Sequence, residues 1–175
     1  RWVYSGKCAH ISDTIPIYVL PLITDNVLTA DQVICEGSVF DPLDGETPGG
    51  GDLVNYRYVW EESTDNVSWS GAYGTGDQED YAPDTTSVLF PGTAYFRRTI
   101  YSGEDDVCSS VSNVISLTDW PKLDDNEISS DQTICETGTP AAFTGLTPAG
   151  GDNSYAYVWQ DSLAGGSWSD ITTAT

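Results

Sequence analysis

Four cysteines, a single histidine and 27 carboxylates are the residues of this 175-residue chain with the greatest capacity for chemistry. The cysteines stand at Cys8, Cys35, Cys108 and Cys135, so an interval of 27 residues occurs twice. No Cys-x-x-Cys is present and His10 has no second imidazole, which argues against a zinc site. Thiols without metal spacing point instead to disulfides in an oxidising compartment. The spacing leaves two arrangements open. Cys35 could bond Cys108, with Cys8 and Cys135 paired outside the segment, or Cys8 could bond Cys35 and Cys108 bond Cys135. The first would close a loop of 73 residues, and loops of that order contribute about 4 kcal/mol on the chain-entropy model.

The carboxylates outnumber six Lys and Arg and set a net charge of −21. Such a surface repels nucleic-acid phosphates and anionic lipid, so neither is an expected partner. No apolar run approaches the roughly 20 residues of a membrane helix; residues 15–23 come nearest. The acids read first as a solvated, self-repelling surface. A second role is Ca²⁺ binding at clusters such as Glu79-Asp80, 104–106 and Asp124-Asp125. It rests on composition alone, because no Asp-x-Asp-x-Asp-Gly loop occurs. Catalysis has no support: Gly-x-Ser-x-Gly, phosphate-binding glycine loops and His-Glu-x-x-His are all missing. With 27 acids any pair could be named a glycosidase dyad, so none is. No cofactor is expected.

What positions these residues is a repeat. Asp31-Gln32-Val33-Ile34-Cys35-Glu36 returns as Asp131-Gln132-Thr133-Ile134-Cys135-Glu136, and Thr47-Pro48-Gly49-Gly50-Gly51-Asp52 as Thr147-Pro148-Ala149-Gly150-Gly151-Asp152. Tyr56-Arg57-Tyr58-Val59-Trp60 matches Tyr155-Ala156-Tyr157-Val158-Trp159, and Trp69 matches Trp168. At the other end, Arg1 to Gly6 aligns with Arg98 to Gly103, Pro21 with Pro121 and Asn26 with Asn126. A period of about 100 residues is the size of one small domain. Residues 1–25 read as the last strands of one copy and 26–120 as a complete copy. Residues 121–125 form a linker, and 126–175 the first half of the next copy. The chain starts without Met and stops in mid-pattern, so it is expected to belong to something longer.

Within a copy, Tyr56, Tyr58 and Trp60 alternate with Arg57, Val59 and Glu61, the period of a half-buried strand. Residues 93–101 are rich in β-formers and 111–117 alternate, while Gly and Pro clusters at 48–51, 71–76 and 91–92 punctuate the pattern. No amphipathic helical period of useful length is found. The expected fold class is all-β: tandem immunoglobulin-like sandwiches of about seven short strands each, strand order open. The recurring aromatics read as core, with a glycan-stacking role for Trp69 the lesser reading. Arg98 shares the inward parity of Phe96 and Ile100. It is expected to snorkel from a strand end toward a rim carboxylate.

The set Asp-Gln-x-Ile-Cys, Thr-Pro-x-Gly-Gly, Tyr-x-Tyr-x-Trp, Tyr81-Ala82-Pro83, Tyr95-Phe96-Arg97-Arg98 and Tyr101-Ser102-Gly103 before Cys108 resembles a known repeat. It is similar to the Ig-like and PKD-like tandem repeats of very large Bacteroidota cell-surface proteins, among them gliding-motility adhesins and filament proteins exported by type IX secretion. The resemblance spans essentially the whole chain. It implies an extracellular, non-enzymatic stalk or fibre, whose partners are neighbouring repeats or identical filament subunits, with surface glycans as a further ligand class. It also favours the pairing of Cys35 with Cys108. Finally it implies O-glycosylation at Asp-Ser/Thr triplets, which occur here at Thr14, Thr85 and Ser162.

Overall fold

Alternation of apolar and polar residues becomes a ladder of strands in the computed structural model, which describes residues 1–84 and 90–172. Strands β1 (Trp2–Ser5) and β2 (Cys8–Ile11) form an antiparallel hairpin. The central sheet comprises β3 (Gln32–Cys35), β4 (Tyr56–Ser63), β5 (Ser70–Gly71), β6 (Gly92–Ser102), β7 (Cys108–Val111) and β8 (Ile115–Trp120). Their order is β3-β8-β6-β4-β5, with β7 also on β6. Four two-residue strands follow: β9 (Ile128–Ser129), β10 (Thr144–Gly145), β11 (Gln160–Asp161) and β12 (Ser169–Asp170). The protein is all-β. Among the described residues the helical element is a 3₁₀ turn at Glu104–Asp106.

β6 organises the sheet. One edge pairs antiparallel with β4 over its last eight residues. The other edge is shared, because β8 takes residues 92–96 and β7 takes 99–102. The sequence pattern anticipates one strand over 111–117, but the structure breaks it in two. Asn113 explains the break: its side-chain amide accepts from Leu28 N at 2.8 Å and donates to Leu28 O at 3.2 Å. Ser112 Oγ also accepts from Arg98 N at 2.9 Å. The Asn113 amide bonds to a different segment in place of a strand partner, while Ser112 stays on Arg98 of β6 through its hydroxyl and its backbone N.

On the inner face β6 presents Ala94, Phe96, Arg98, Ile100 and Ser102, all buried. Segments linked by the isolated bridges Thr24 to Gly49, Leu28 to Gly45 and Leu43 to Tyr81 lie across from this sheet. They bring Leu28, Phe40, Leu43 and Tyr81 onto Trp60, Ala94, Phe96, Ile115 and Leu117. Tyr81 sits between Trp60 and Phe96, with ring centroids 5.4 and 5.8 Å away. The expected inward set Tyr56, Tyr58 and Trp60 grades from half-buried to fully buried along β4.

Candidate functional site

The two ends of the central sheet hold the chemistry that the sequence singles out. At the far end β8 runs out at Trp120, and Cys35 closes β3 as its register partner in a parallel pair. Asp31 and Gln32 set that register. Asp31 Oδ1 accepts from Ser116 N at 2.7 Å, while the Gln32 amide exchanges two bonds with the Asp41 backbone at 2.9 and 3.1 Å. Glu36 N then donates to Trp120 O at 2.8 Å, and the Glu36 carboxylate accepts from Lys122 N at 3.3 Å. The departing chain is thereby tied to the residue after Cys35. Beside it lies a shallow cavity of about 340 Å³ lined by Glu36, Val39, Phe90 and Asp119. Asp119 is buried there, and among the described residues its Oδ1 has no hydrogen-bond partner. Desolvation, and then the Glu36 charge, push its pKa up.

At the near end the incoming chain is held by different bonds. Gly51 N donates to Pro21 O at 3.1 Å, and Thr24 exchanges backbone bonds with Gly49 at 2.9 and 3.2 Å. The hairpin between β6 and β7 leans on this chain. Gly103 takes a positive φ of 86°, and a Cβ there would fall 2.7 Å from Leu20 Cδ1 and 2.7 Å from Val107 Cγ1, so a larger residue would be strained and would press on both side chains. Cys108 follows Val107 and is the register partner of Ser102. Ser102 Oγ donates to Asp52 Oδ1 at 3.0 Å, and Arg57 pairs with Asp106 while covering the Tyr101 ring at 4.1 Å.

The structure corrects the expected cystine. All four cysteines are free, with Cys108 half-buried and the other three exposed. Cys35 sits level with Trp120, one position beyond the pairing of Asp119 with Gly92, whereas Cys108 sits level with Ser102. Those levels are the two ends of the 11-residue strand β6, on the order of 30 Å apart at the rise of an extended strand. A disulfide tolerates Cα separations up to about 7 Å, so a Cys35–Cys108 bond within the unit is excluded by topology. Cys8 and Cys35, the other arrangement, are likewise unbonded. Cys8 is the partner of Ser5 in the β1–β2 hairpin, the position Cys108 holds opposite Ser102 in the β6–β7 pair.

Arg98 also differs from expectation. It does not reach a rim carboxylate but is completely buried. Its Nε donates to Asn26 Oδ1 at 3.0 Å, Nη1 to Glu79 O at 2.7 Å and Nη2 to Glu46 O at 2.9 Å. Burial lowers its pKa from the usual arginine value. Neutral carbonyls on three segments, not an ion pair, satisfy the guanidinium fork. Asn26 completes the node by donating to Ser110 O at 2.8 Å. The sequence signal for this partner was present, since Asn26 and Arg98 both recur, as Asn126 and Arg1. Parity reveals that Arg98 points inward, but not what it meets.

Other expected sites are scattered. Thr14 is exposed, and Ser162 is exposed with its Oγ within reach of the Leu163 and Gly166 carbonyls. Thr85 lies outside the described residues. Trp69 is half-buried with the Arg97 guanidinium 4.2 Å over its ring, so neither the core reading nor a free stacking face describes it. Three members of the acidic clusters are engaged in local bonds: Glu79 with Thr47, Asp80 with Gly45 N, and Asp106 with Arg57. Among the described residues no group of three or more His, Cys, Asp or Glu could hold a metal.

The near-end contacts recur about 100 residues on. Gly151 N donates to Pro121 O at 2.8 Å, and Asp124 exchanges backbone bonds with Ala149 at 2.9 and 3.0 Å. Gln132 clasps Ala141 as Gln32 clasps Asp41, and Tyr155 Oη reaches Gly150 O as Tyr56 Oη reaches Gly50 O. Positive φ at Asp25, Gly50, Gly51 and Leu53 repeats at Asp125, Gly150, Gly151 and Asn153. The β1–β2 register repeats that of β6–β7. The family model described as a domain of unknown function (DUF8696) matches residues 24–119 and 124–175. No curated protein and no solved structure matches the chain.

Proposed function

The chain belongs to the DUF8696 domain family, whose function is unknown, and on that premise we propose that it is a structural segment of an extracellular bacterial surface fibre or adhesin stalk. The segment is a tandem array of Ig-like sandwiches without catalytic activity. One observation carries this reading. The backbone arrives at the near end of the sheet, at Pro21 against Gly51, and departs from the far end, at Trp120 beside Cys35. Units with termini at opposite ends string out in a line, each touching mainly its neighbours. The bonds at Pro121 and Gly151 repeat those at Pro21 and Gly51, which supports the same joint at each junction. The facing segments bridged at Thr24, Leu28 and Leu43 support the sandwich. A pull along the array would load the β3–β8 and β6–β8 bonds together in shear, the geometry of a strong tether. A net charge of −21 favours separate, soluble fibres.

A second reading is favoured by the 124–172 segment, in which no described residue is buried. A groove of about 510 Å³ is lined there by Phe143, Tyr155, Tyr157 and Trp159. Its counterpart beside Trp60 is filled by core side chains of β6 and β8, strands of the same sheet as β4. In the tandem reading the strands that fill it follow in the same chain, and in a self-assembling filament a neighbouring subunit donates them. Electron microscopy and intact mass of the polypeptide shed from its native cells test both. A chain much longer than this segment, extended and beaded, is the expected result. A subunit of this mass that polymerises would replace the stalk by the filament. A compact cytoplasmic particle would sink both.

A further inference from the structure

Cys35 and Cys108 cannot meet each other, yet each stands where two consecutive units meet. Cys35 pairs with Trp120 across one strand spacing, about 4.8 Å. Trp120 occupies the position of Leu20, which packs on Gly103 beside Val107, the residue before Cys108. At a junction built like the one at Leu20 and Pro21, Trp120 therefore packs on the hairpin of the following unit, and that hairpin carries the cysteine equivalent to Cys108. We propose that Cys35 forms a disulfide with this hairpin cysteine of the next copy, so that each joint of the array is closed by a covalent staple. The inference rests on the tandem reading and deepens it.

The same rule assigns the remaining thiols. Cys108 is the hairpin cysteine for the far-end cysteine of the copy before. Cys8 has the same role in the preceding unit, and Cys135 repeats Cys35. No bond of this kind falls within residues 1–175, so the proposed partner of each thiol lies on another copy. The exposure of Cys35 and half-exposure of Cys108 leave both open to an oxidant. Bond formation removes two protons and two electrons from the two thiols. A disulfide-bearing oxidoreductase accepts them by exchange, its own disulfide becoming a dithiol. Stapling every joint would convert a string of hinged units into a rod that transmits tension past any single linker.

The test is a disulfide map of the native polypeptide, alkylated with N-ethylmaleimide and kept free of reductant. Trypsin leaves Cys8 and Cys35 in one peptide, whereas cleavage at acidic residues isolates 32–36 from 107–119. The expected result is the 32–36 peptide joined to a hairpin peptide of the following copy, with 107–119 joined to a far-end peptide of the preceding one. A Cys35→Ser variant should then leave the following hairpin thiol alone labelled, with the unit's unfolding midpoint little changed. Maleimide on Cys35 in a digest containing several complete copies would overturn the staple and spare the array. A Cys35–Cys108 peptide from within one copy would overturn it likewise. A digest with no further copy would overturn the array and the staple together.

Discussion

Arg98 shows how a charged side chain becomes a core residue without a counter-ion. Three of its donors meet oxygens from Asn26, Glu46 and Glu79, which lie on three separate segments. It therefore ties the covering segments to β6 at one point. Gly45 is shaped to it, since a Cβ there would overlap the guanidinium. Replacing Arg98 with Met keeps the apolar stem and strands three acceptors. We expect a loss of about 3 kcal/mol, the penalty for a few unpaired buried groups, read as a lower urea midpoint at unchanged m-value. Arg98→Lys should recover only a fraction of this, because an ammonium cannot fan out to three separated carbonyls. Near-wild-type stability in Arg98→Met would mean the node is incidental.

At the scale of elements, the longest strand contact is β4 on β6, and both ends of β4 are set by aspartate turns. Asp52 Oδ1 accepts from Val54 N and Asn55 N before the strand, and Asp65 Oδ1 accepts from Val67 N and Ser68 N after it. Backbone donors stabilise the carboxylates, led by Asn55 for Asp52 and Ser68 for Asp65, and each pKa is drawn down from 3.8 to about 2. A depressed folded-state pKa gives stability that is present above the unfolded value and disappears as pH falls through the folded one. Thermal midpoints should therefore drop between about pH 4 and pH 2. The drop should be shallower in an Asp52→Ala, Asp65→Ala double variant, which starts from a lower midpoint at neutral pH. Parallel acid limbs in the two proteins would assign the acid sensitivity elsewhere. Asp119 acts with the opposite sign, because its raised pKa makes it a liability at neutral pH that protonation relieves.

For the whole molecule, the controlling quantity is its excess of negative charge. A chain at −21 should show a positive second virial coefficient at ~10 mM salt that falls steeply by ~150 mM, as the Debye length shrinks from about 30 to about 8 Å. Static light scattering reads this directly. A coefficient insensitive to salt would show that charge does not keep the molecules apart.

The repeat, the strand periodicity of Tyr56, Tyr58 and Trp60, the inward parity of Arg98 and the lack of catalytic motifs were all legible in the residues. They are local properties, set by what each residue must bury or expose relative to its neighbours in the chain. Recurrence then copies the pattern to positions about 100 residues away. Position in space was not legible in the same way. That β3 joins β8 in parallel across more than 80 residues, that Asn113 splits the last β-rich stretch in two, and that Cys35 and Cys108 face opposite ends of the sheet follow from which strands share β6. Strand partners are chosen by burial of the whole inner face, a sum over distant segments that cysteine spacing does not report. The thiols could be counted from sequence, but it is the tertiary register that sets Cys35 and Cys108 at opposite ends of the sheet.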